Sequence, residues 1–239
     1  MAAAPRDGVG PSGPRRRPVI AVLDYGIGNL RSAEKALQRM GADARLEADP
    51  AAVAEAEAVV LPGVGAFGAC ARALRRTGLW DAARHALDGG RPFLAICVGF
   101  QLLYEGSDED PGEPGLGVFA GRVRRLAEGV KRPQMQWNRL TPVGDAPSGL
   151  LRGVPEPTWV YFVHSYAPEA TPETTSVCEY GGLVVATAER GPVAGVQFHP
   201  EKSGATGLAV LANFGRVVDE GGAGPGSSPD PSAASAAGR

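Results

Sequence analysis

Short apolar runs alternate with helical stretches through the first half of this chain. VIAVLD at 19–24 is followed by the turn-like YGIGN and then by a helical stretch from Leu30 to Met40. AVVLP at 58–62 and PFLAI at 92–96 are further apolar runs, and helical segments lie between them. Because strands that alternate with helices form parallel sheets with helices on both faces, the pattern predicts an α/β fold.

The pattern changes from about residue 117 onward, where the apolar runs become short and turn residues such as Gly181-Gly182 separate them. These runs predict a mixed or antiparallel extension of the sheet. They are GVFAGRVRRL (117–126), TWVYFV (158–163), TSVCEY (175–180), LVVATA (183–188) and VAGVQF (193–198). A last helix, predicted from Ser203 to Val218, should pack back on the sheet.

The two ends of the chain differ in composition from the rest. Seventeen of the nineteen residues from Gly221 to Arg239 are Gly, Pro, Ser or Ala. Such a segment buries too little apolar surface to offset its chain entropy, and the same argument applies to residues 1–17. The sequence therefore predicts disordered tails at 1–17 and 221–239 around one domain at 18–220.

Charge and cysteine usage argue against several classes of protein. The 24 Lys and Arg residues are balanced by 26 Asp and Glu residues, so the net charge of −2 predicts binding neither to nucleic acid nor to a membrane surface. We find no apolar segment with the pattern of a membrane span or a signal peptide. The three cysteines are widely spaced and suggest neither a disulfide framework nor a CxxC metal site. We therefore expect a cytoplasmic protein that uses no metal and no cofactor.

The strongest local signal for chemistry is AICVGFQLL at 95–103, where an apolar strand ends at Cys97 and a helix begins at once. Ala95 and Gly99 stand two positions to either side, and small neighbours give the clearance that a nucleophile elbow requires. A helix N-terminus also favours thiolate over thiol. Because a lone cysteine after a strand is often a buried core residue, this motif by itself leaves both interpretations open.

Three histidines are available as a base for a cysteine nucleophile. His85 lies in a helical stretch, where we expect a surface or partly buried position, and His164 lies at a strand end, where we expect a structural hydrogen bond. His199 ends an apolar strand and is followed by Pro200 and Glu201. An extended backbone there places the histidine and the glutamate on one side of the chain, so the carboxylate can orient the imidazole. An HPE triplet is weak evidence alone, but after an elbow cysteine it predicts a Cys-His-Glu triad.

Six motifs occur in order between residues 19 and 218, and their conjunction is far more specific than any one of them. The motifs are DYGIGNLRS (24–32), PGVGAF (62–67), ICVGFQ (96–101), MQWN (135–138), YFVHSY (161–166) and VQFHPEKSG (196–204). Together they resemble the class I, or triad-type, glutamine amidotransferases, and within them the glutaminase subunits of imidazole glycerol phosphate synthases. The resemblance implies a single-domain, flavodoxin-like class I glutaminase fold.

The resemblance also implies a role for each residue. Cys97 would attack the amide of glutamine to form a glutamyl thioester, His199 would shuttle protons, and Glu201 would orient the histidine. Backbone N–H groups would stabilise the oxyanion. The implied donors are Val98 and the Gly63–Val64 peptide, provided that this peptide is turned the right way. The implied substrate-binding residues are Gln101, Glu109, Ser165 and Tyr166.

Ammonia production implies a separate protein that uses the ammonia, because the rest of the chain offers no convincing motif for a synthase site. The resemblance implies a cyclase subunit of TIM-barrel fold, bound as a heterodimer. That subunit would make imidazole glycerol phosphate and an aminoimidazole carboxamide ribonucleotide in histidine biosynthesis. The implied docking residues are Asn29, Trp137, Asn138 and Tyr161.

Two residues depart from the family pattern, and two alternative functions remain open at this point. Gln134 and Gln136 stand where the family pattern leads us to expect His and Gly. One alternative is the glutaminase subunit of another synthase, such as pyridoxal phosphate synthase, against which PGVGAF and YFVHSY argue. The other is a catalytically inactive scaffold on the same fold, against which the three filled triad positions argue.

Overall fold

The computed structural model describes residues 17–144 and 148–221, so nearly all of the two predicted tails lies outside the described residues. The first half of the chain alternates strands and helices as the apolar pattern predicts. The strands are β1 (Val19–Leu23), β2 (Asp43–Glu47), β3 (Ala58–Gly63) and β4 (Phe93–Cys97). The helices are α1 (Leu30–Arg39), α2 (Pro50–Glu55), α3 (Phe67–Arg76), α4 (Leu79–Asp88) and α5 (Val98–Leu102).

The second half consists of short strands and one long helix. The strands are β5 (Gly106–Ser107), β6 (Asp110–Pro114), β7 (Arg122–Arg125), β8 (Gln134–Arg139), β9 (Thr141–Pro142), β10 (Trp159–His164), β11 (Tyr166–Pro168), β12 (Thr174–Glu179), β13 (Leu183–Arg190) and β14 (Val193–Val196). A 3₁₀ turn at Pro200–Lys202 precedes the last helix, α6 (Gly204–Asp219). Within 17–144 and 148–221, no helix is long and apolar enough to cross a membrane.

A central eight-stranded sheet has the strand order β2-β1-β3-β4-β14-β13-β12-β9. Neighbouring strands from β2 to β14 pair in parallel. Neighbouring strands from β14 to β9 are antiparallel. Helices α1 and α6 pack together, and α2, α3 and α4 form a second group. The predicted α/β fold, with a mostly parallel sheet and an antiparallel extension, is confirmed.

Two smaller sheets hold strands that the sequence assigns to the extension. β8 pairs with β10, and the other sheet has the order β11-β7-β5-β6. GVFAGRVRRL forms a strand only at Arg122–Arg125, because Gly121 has a φ of 86°, outside the β region. The alternation of apolar residues predicts that a strand forms, but its partner depends on contacts far away in the sequence.

Strand β3 and the start of α5 approach each other more closely than a side chain permits. A Cβ at Gly99 would lie 2.0 Å from the Leu61 carbonyl oxygen, and one at Gly63 would lie 2.5 Å from the Gly99 amide nitrogen. β3 also pairs with β4 so that Gly63 stands beside Cys97. The two glycines therefore allow the carboxyl end of β3 to contact the helix that follows β4.

We expect Gly99→Ala to lower the free energy of unfolding by about 1–3 kcal/mol, because its methyl group would overlap a backbone oxygen. Gly215→Ala in α6 is the matched control. A Cβ there meets no atom within 4 Å, and alanine is favoured over glycine in a helix by up to about 1 kcal/mol. Denaturant unfolding of the full chain measures both changes. An unaltered midpoint for Gly99→Ala would contradict the proposed close packing.

Candidate active site

Cys97 lies at the turn between β4 and α5, with a backbone φ of 57° and ψ of −112°. It is the one non-glycine residue with a positive φ in the described part of the chain. Such a conformation costs about 1–3 kcal/mol and persists where the surrounding structure imposes it. The residue is 3% exposed, and the turn has the geometry of a nucleophile elbow.

His199 and Glu201 form a buried pair just beyond β14. Nδ1 of His199 lies 2.8 Å from Oε1 of Glu201, and the two side chains are 2% and 3% exposed. His199 has the extended backbone that the sequence predicts, but Pro200 already begins the 3₁₀ turn. The pair therefore forms across the start of a turn and not along an extended segment. Because Nδ1 contacts the carboxylate, Nε2 is the imidazole nitrogen that is left for chemistry.

The segment that carries this pair is tied to β10. The Ser203 hydroxyl donates to the His199 carbonyl at 2.6 Å and accepts from the Tyr161 amide at 3.0 Å. The His199 amide donates to the Tyr161 carbonyl at 3.0 Å. One hydroxyl thus joins two segments, since it both donates and accepts. Sequence reasoning missed Ser203, because nothing in its local sequence indicates these partners.

The pKa values of two neighbouring histidines are shifted in opposite directions. Burial by itself would lower the pKa of His199, but its interactions with Cys97 and Glu201 outweigh burial and raise it above its ordinary value. Burial lowers the pKa of His164 to about 4, although its 2.9 Å hydrogen bond to the Tyr166 carbonyl acts in the opposite direction. His164 is therefore neutral near pH ~7 and makes the structural hydrogen bond that the sequence predicts. His199 is the imidazole that can hold a proton beside Cys97.

Gln197 connects Cys97 with the predicted substrate-binding residues, and sequence reasoning missed it. Its Nε2 lies 3.7 Å from Sγ of Cys97, and its Oε1 accepts from Nε2 of Gln101 at 3.1 Å. Gln101 also donates to the Tyr166 carbonyl at 2.9 Å. Both amide protons of Gln101 are thus used, so its Oε1 is the atom it can offer to a ligand. The available signal is the single glutamine in the otherwise apolar VAGVQF.

A pocket of about 600 Å³ brings most of the predicted site residues together. The predicted residues that line it are Asn29, Val64, Cys97, Val98, Gln101, Glu109, Ser165, Tyr166 and His199. Gly63 and Glu201 line a smaller cavity that shares His199 with this pocket. Oε2 of Glu109 accepts from the Phe67 amide at 2.8 Å. The pocket has the size of a small-molecule site and can admit an amino acid beside the thiol.

An exposed aromatic surface lies on one face of the β8–β10 pair. Trp137 and Tyr161 stand opposite each other, with ring centroids 6.1 Å apart. Met135 and Trp159 point to the same side, because alternate residues of a strand share a face. Met135, Trp137 and Trp159 are 60%, 49% and 47% exposed. We call these four residues the aromatic face.

Asn138 lies on the opposite face of β8 from the aromatic face. Its Nδ2 donates to the Glu179 carbonyl at 2.8 Å, so the side chain is bound within this chain. Gln136 shares that opposite face, is exposed, and is not among the residues with a positive φ. It is therefore not strained by standing where the family pattern has glycine. Gln134 is fully buried, so it does not reach the surface.

Comparison with known proteins identifies the class to which this fold and site belong. A family profile described as glutamine amidotransferase class-I matches residues 21–217. The chain therefore belongs to the class I glutamine amidotransferase family. A solved structure described as glutamine amidotransferase superimposes with a TM-score of 0.64 at 22% identity, covering 85% of this chain and 98% of the other, and shares the fold.

Curated relatives place the chain more narrowly within that family. It is 48% identical over 201 residues to the imidazole glycerol phosphate synthase subunit HisH of Symbiobacterium thermophilum, covering 83% of this chain and 94% of the relative. It is 47% identical over 208 residues to the subunit of the same name from Deinococcus radiodurans, covering 85% of this chain and 96% of the relative. The resemblance inferred from the six motifs is confirmed at the level of this family.

We expect Glu201→Gln to lower the pKa of His199, because a neutral amide replaces the carboxylate that favours the charged imidazole. A raised folded-state pKa stabilises the fold below the unfolded value of ~6.5, and this contribution is lost as the pH rises through the folded-state value. The free energy of unfolding of the wild type should therefore exceed that of Glu201→Gln. This difference should be largest near pH ~6 and should shrink as the solution becomes alkaline. Urea unfolding across this pH range measures the difference. A difference that grows with rising pH would argue against the charged pair.

Proposed function

We propose that this protein is the glutaminase subunit of an imidazole glycerol phosphate synthase. It hydrolyses the side-chain amide of glutamine and delivers the ammonia to a cyclase subunit. The observation that carries the proposal is the strained Cys97 beside the buried His199 and Glu201, in a pocket large enough for an amino acid. The names of the two bacterial relatives support this particular synthase.

Cys97 is the proposed nucleophile and His199 the proposed proton carrier. The thiolate attacks the side-chain carbonyl carbon of glutamine, and an electron pair of the C=O bond moves onto oxygen. When this pair returns, the C–N bond breaks and the nitrogen takes a proton from His199 and leaves as ammonia. His199 then removes a proton from water, which attacks the thioester and releases glutamate and the thiolate. Glu201 holds the imidazole in the orientation that both transfers require.

Two backbone N–H groups are the proposed donors to the oxyanion. Val98 is the first residue of α5, where N–H groups lack partners within the helix. Val64 follows Gly63 at the end of β3 and lines the same pocket as Cys97. Loss of one oxyanion donor costs about 2.7–4 kcal/mol of transition-state stabilisation in a well-studied protease, so the orientation of the Val64 peptide is important.

Glu109, Gln101 and the Ser165–Tyr166 backbone are the proposed contacts for the amino-acid end of glutamine. One oxygen of Glu109 is bound to a backbone amide, so the other can pair with the α-ammonium group. Gln101 can offer its Oε1, as described above. The Tyr166 carbonyl already accepts from both Gln101 and His164, so the backbone there is held before substrate arrives. A site held in this way loses little entropy on binding.

The aromatic face is the proposed docking surface for a cyclase of TIM-barrel fold, with which the chain forms a heterodimer. Exposed tryptophan and methionine are enriched in protein interfaces. Val163 lines the pocket and is paired with Met135 across the strands, so the face is continuous with the site where ammonia forms. Asn29 lines the same pocket, which supports its proposed place in the interface. A cyclase seated there would cover the pocket and receive ammonia directly.

The cytoplasm is the proposed location of this complex. Cys70, Cys97 and Cys178 are all free in the structure. Disulfides are rare in reducing compartments, where a thiol nucleophile also stays active. The free cysteines therefore support the predicted location.

We expect Cys97→Ala to abolish glutamine-dependent synthesis by the assembled complex while synthesis from a high concentration of ammonium salt continues. The substitution removes the nucleophile but leaves the cyclase chemistry intact. Glutamate release and product formation, measured separately, test both halves of the expectation. Glutamate release above about a thousandth of the wild-type rate would exclude Cys97 as the nucleophile. Loss of the ammonium-dependent reaction would instead show a defect in assembly.

We expect Trp137→Ala to weaken binding to the cyclase by about tenfold or more, because exposed tryptophans at the centre of an interface contribute strongly to affinity. Met40→Ala is the matched control. Met40 is 40% exposed but follows the last residue of α1, outside the aromatic face and outside the pocket that contains Cys97. Titration of the cyclase with each variant gives the dissociation constants. Equal constants for the two variants would remove Trp137 from the interface.

A further inference from the structure

Two buried side chains hold the carbonyl groups on either side of the Gly63–Val64 peptide. The Tyr25 hydroxyl donates to the Pro62 carbonyl at 2.6 Å, and the Cys70 thiol donates to the Val64 carbonyl at 3.3 Å. Tyr25 is 4% exposed and Cys70 is fully buried. Neither residue is among those proposed above to contact glutamine or the cyclase.

Tyr25 and Cys70 come from different elements and meet at this loop. Tyr25 follows β1, and Cys70 lies in the first half of α3. Burial raises the pKa of both groups, and the hydroxyl and the thiol also interact with each other. Both groups therefore keep their protons near pH ~7. Each can donate to a carbonyl oxygen, which is an acceptor only.

The planarity of the peptide bond determines what these two contacts restrict. Each peptide unit is rigid, and the chain turns only at φ and ψ. The Pro62 carbonyl belongs to the peptide before Gly63–Val64, and the Val64 carbonyl belongs to the peptide after it. When these outer planes are held, coupled rotation about ψ of Gly63 and φ of Val64 turns the middle peptide alone. That peptide carries the N–H proposed as an oxyanion donor.

We propose that Tyr25 and Cys70 are positioning residues for the oxyanion site. By holding the two outer peptide planes, they limit the motion of the loop to the Gly63–Val64 peptide, so that this peptide alone turns when its N–H points toward the substrate oxygen. This inference rests on the proposed glutaminase function. Neither side chain contacts substrate; each acts through the backbone of the loop. With the rest of the loop held in place, only one peptide has to reorganise for the N–H to stabilise the oxyanion.

The other end of the loop is held as well. Oε2 of Glu109 accepts from the Phe67 amide at 2.8 Å, at the first residue of α3. The loop from Pro62 to Phe67 is thus fixed at three points by side chains from three separate parts of the chain. Glu109 is also the proposed partner of the substrate's α-ammonium group. It therefore cannot serve to test the loop alone, whereas Tyr25 and Cys70 can.

The test compares Tyr25→Phe and Cys70→Ala with the wild type, each in complex with the cyclase loaded with its nucleotide substrate. Each change removes one donor to the loop. We expect kcat for glutamine hydrolysis to fall by about 3–10-fold and the KM for glutamine to change by less than about twofold. The rate at which iodoacetamide alkylates Cys97 should not change, because this displacement forms no oxyanion. Cys70→Ser, which restores an O–H donor, should recover most of kcat.

Cys178→Ala is the matched control for removal of a buried thiol. Cys178 is also free and fully buried, but its Sγ contacts Gln134 and not the loop. Its kcat should equal that of the wild type. The inference would be overturned if Tyr25→Phe and Cys70→Ala had the same kcat as Cys178→Ala. It would also be overturned if the rate of Cys97 alkylation fell together with kcat. A wild-type complex that hydrolyses no glutamine would overturn the proposed function and, with it, this inference.

Discussion

The close packing of β3 against the start of α5 is the contact on which the whole site depends. Gly63 and Gly99 leave no room for a Cβ at the point where the two backbones meet. Cys97 is paired with Gly63, and the chain turns from Cys97 into α5 through a positive φ. Burial of the surrounding core holds this strained turn in place. The thiol is thereby fixed at the carboxyl edge of the sheet, where open α/β sheets bind their ligands.

The position of β14 beside β4 brings the other half of the site to this edge. The two strands pair in parallel, so β14 ends at the same edge of the sheet as Cys97. His199 and Glu201 follow within a few residues, and Ser203 ties their segment to β10. The same β10 forms the aromatic face with β8. The geometry of the pair, the pocket and the proposed docking surface are therefore linked through one strand.

Much of the fold could be predicted because its signals are local. The apolar runs of β1, β3 and β4 are long enough to be read as buried strands, and the change in pattern near residue 117 predicts the antiparallel extension. β2 and α2 were not predicted, because DARLE has two apolar residues in five and the six residues of PAAVAE are too few to show a helical period. The division of the second half into three sheets was also not predictable, since strand pairing depends on residues that are distant in sequence.

The sequence by itself determined the elbow at Cys97, the extended approach to His199 and the six motifs that define the family. These features depend on neighbouring residues, so they can be read along the chain. Only the tertiary structure decided that Gln197 reaches Cys97, that Asn138 donates to the Glu179 carbonyl, and that Tyr25 and Cys70 meet at one loop. A side-chain hydrogen bond depends on distance and direction between groups that folding brings together, and neither quantity is encoded in the spacing of residues along the chain.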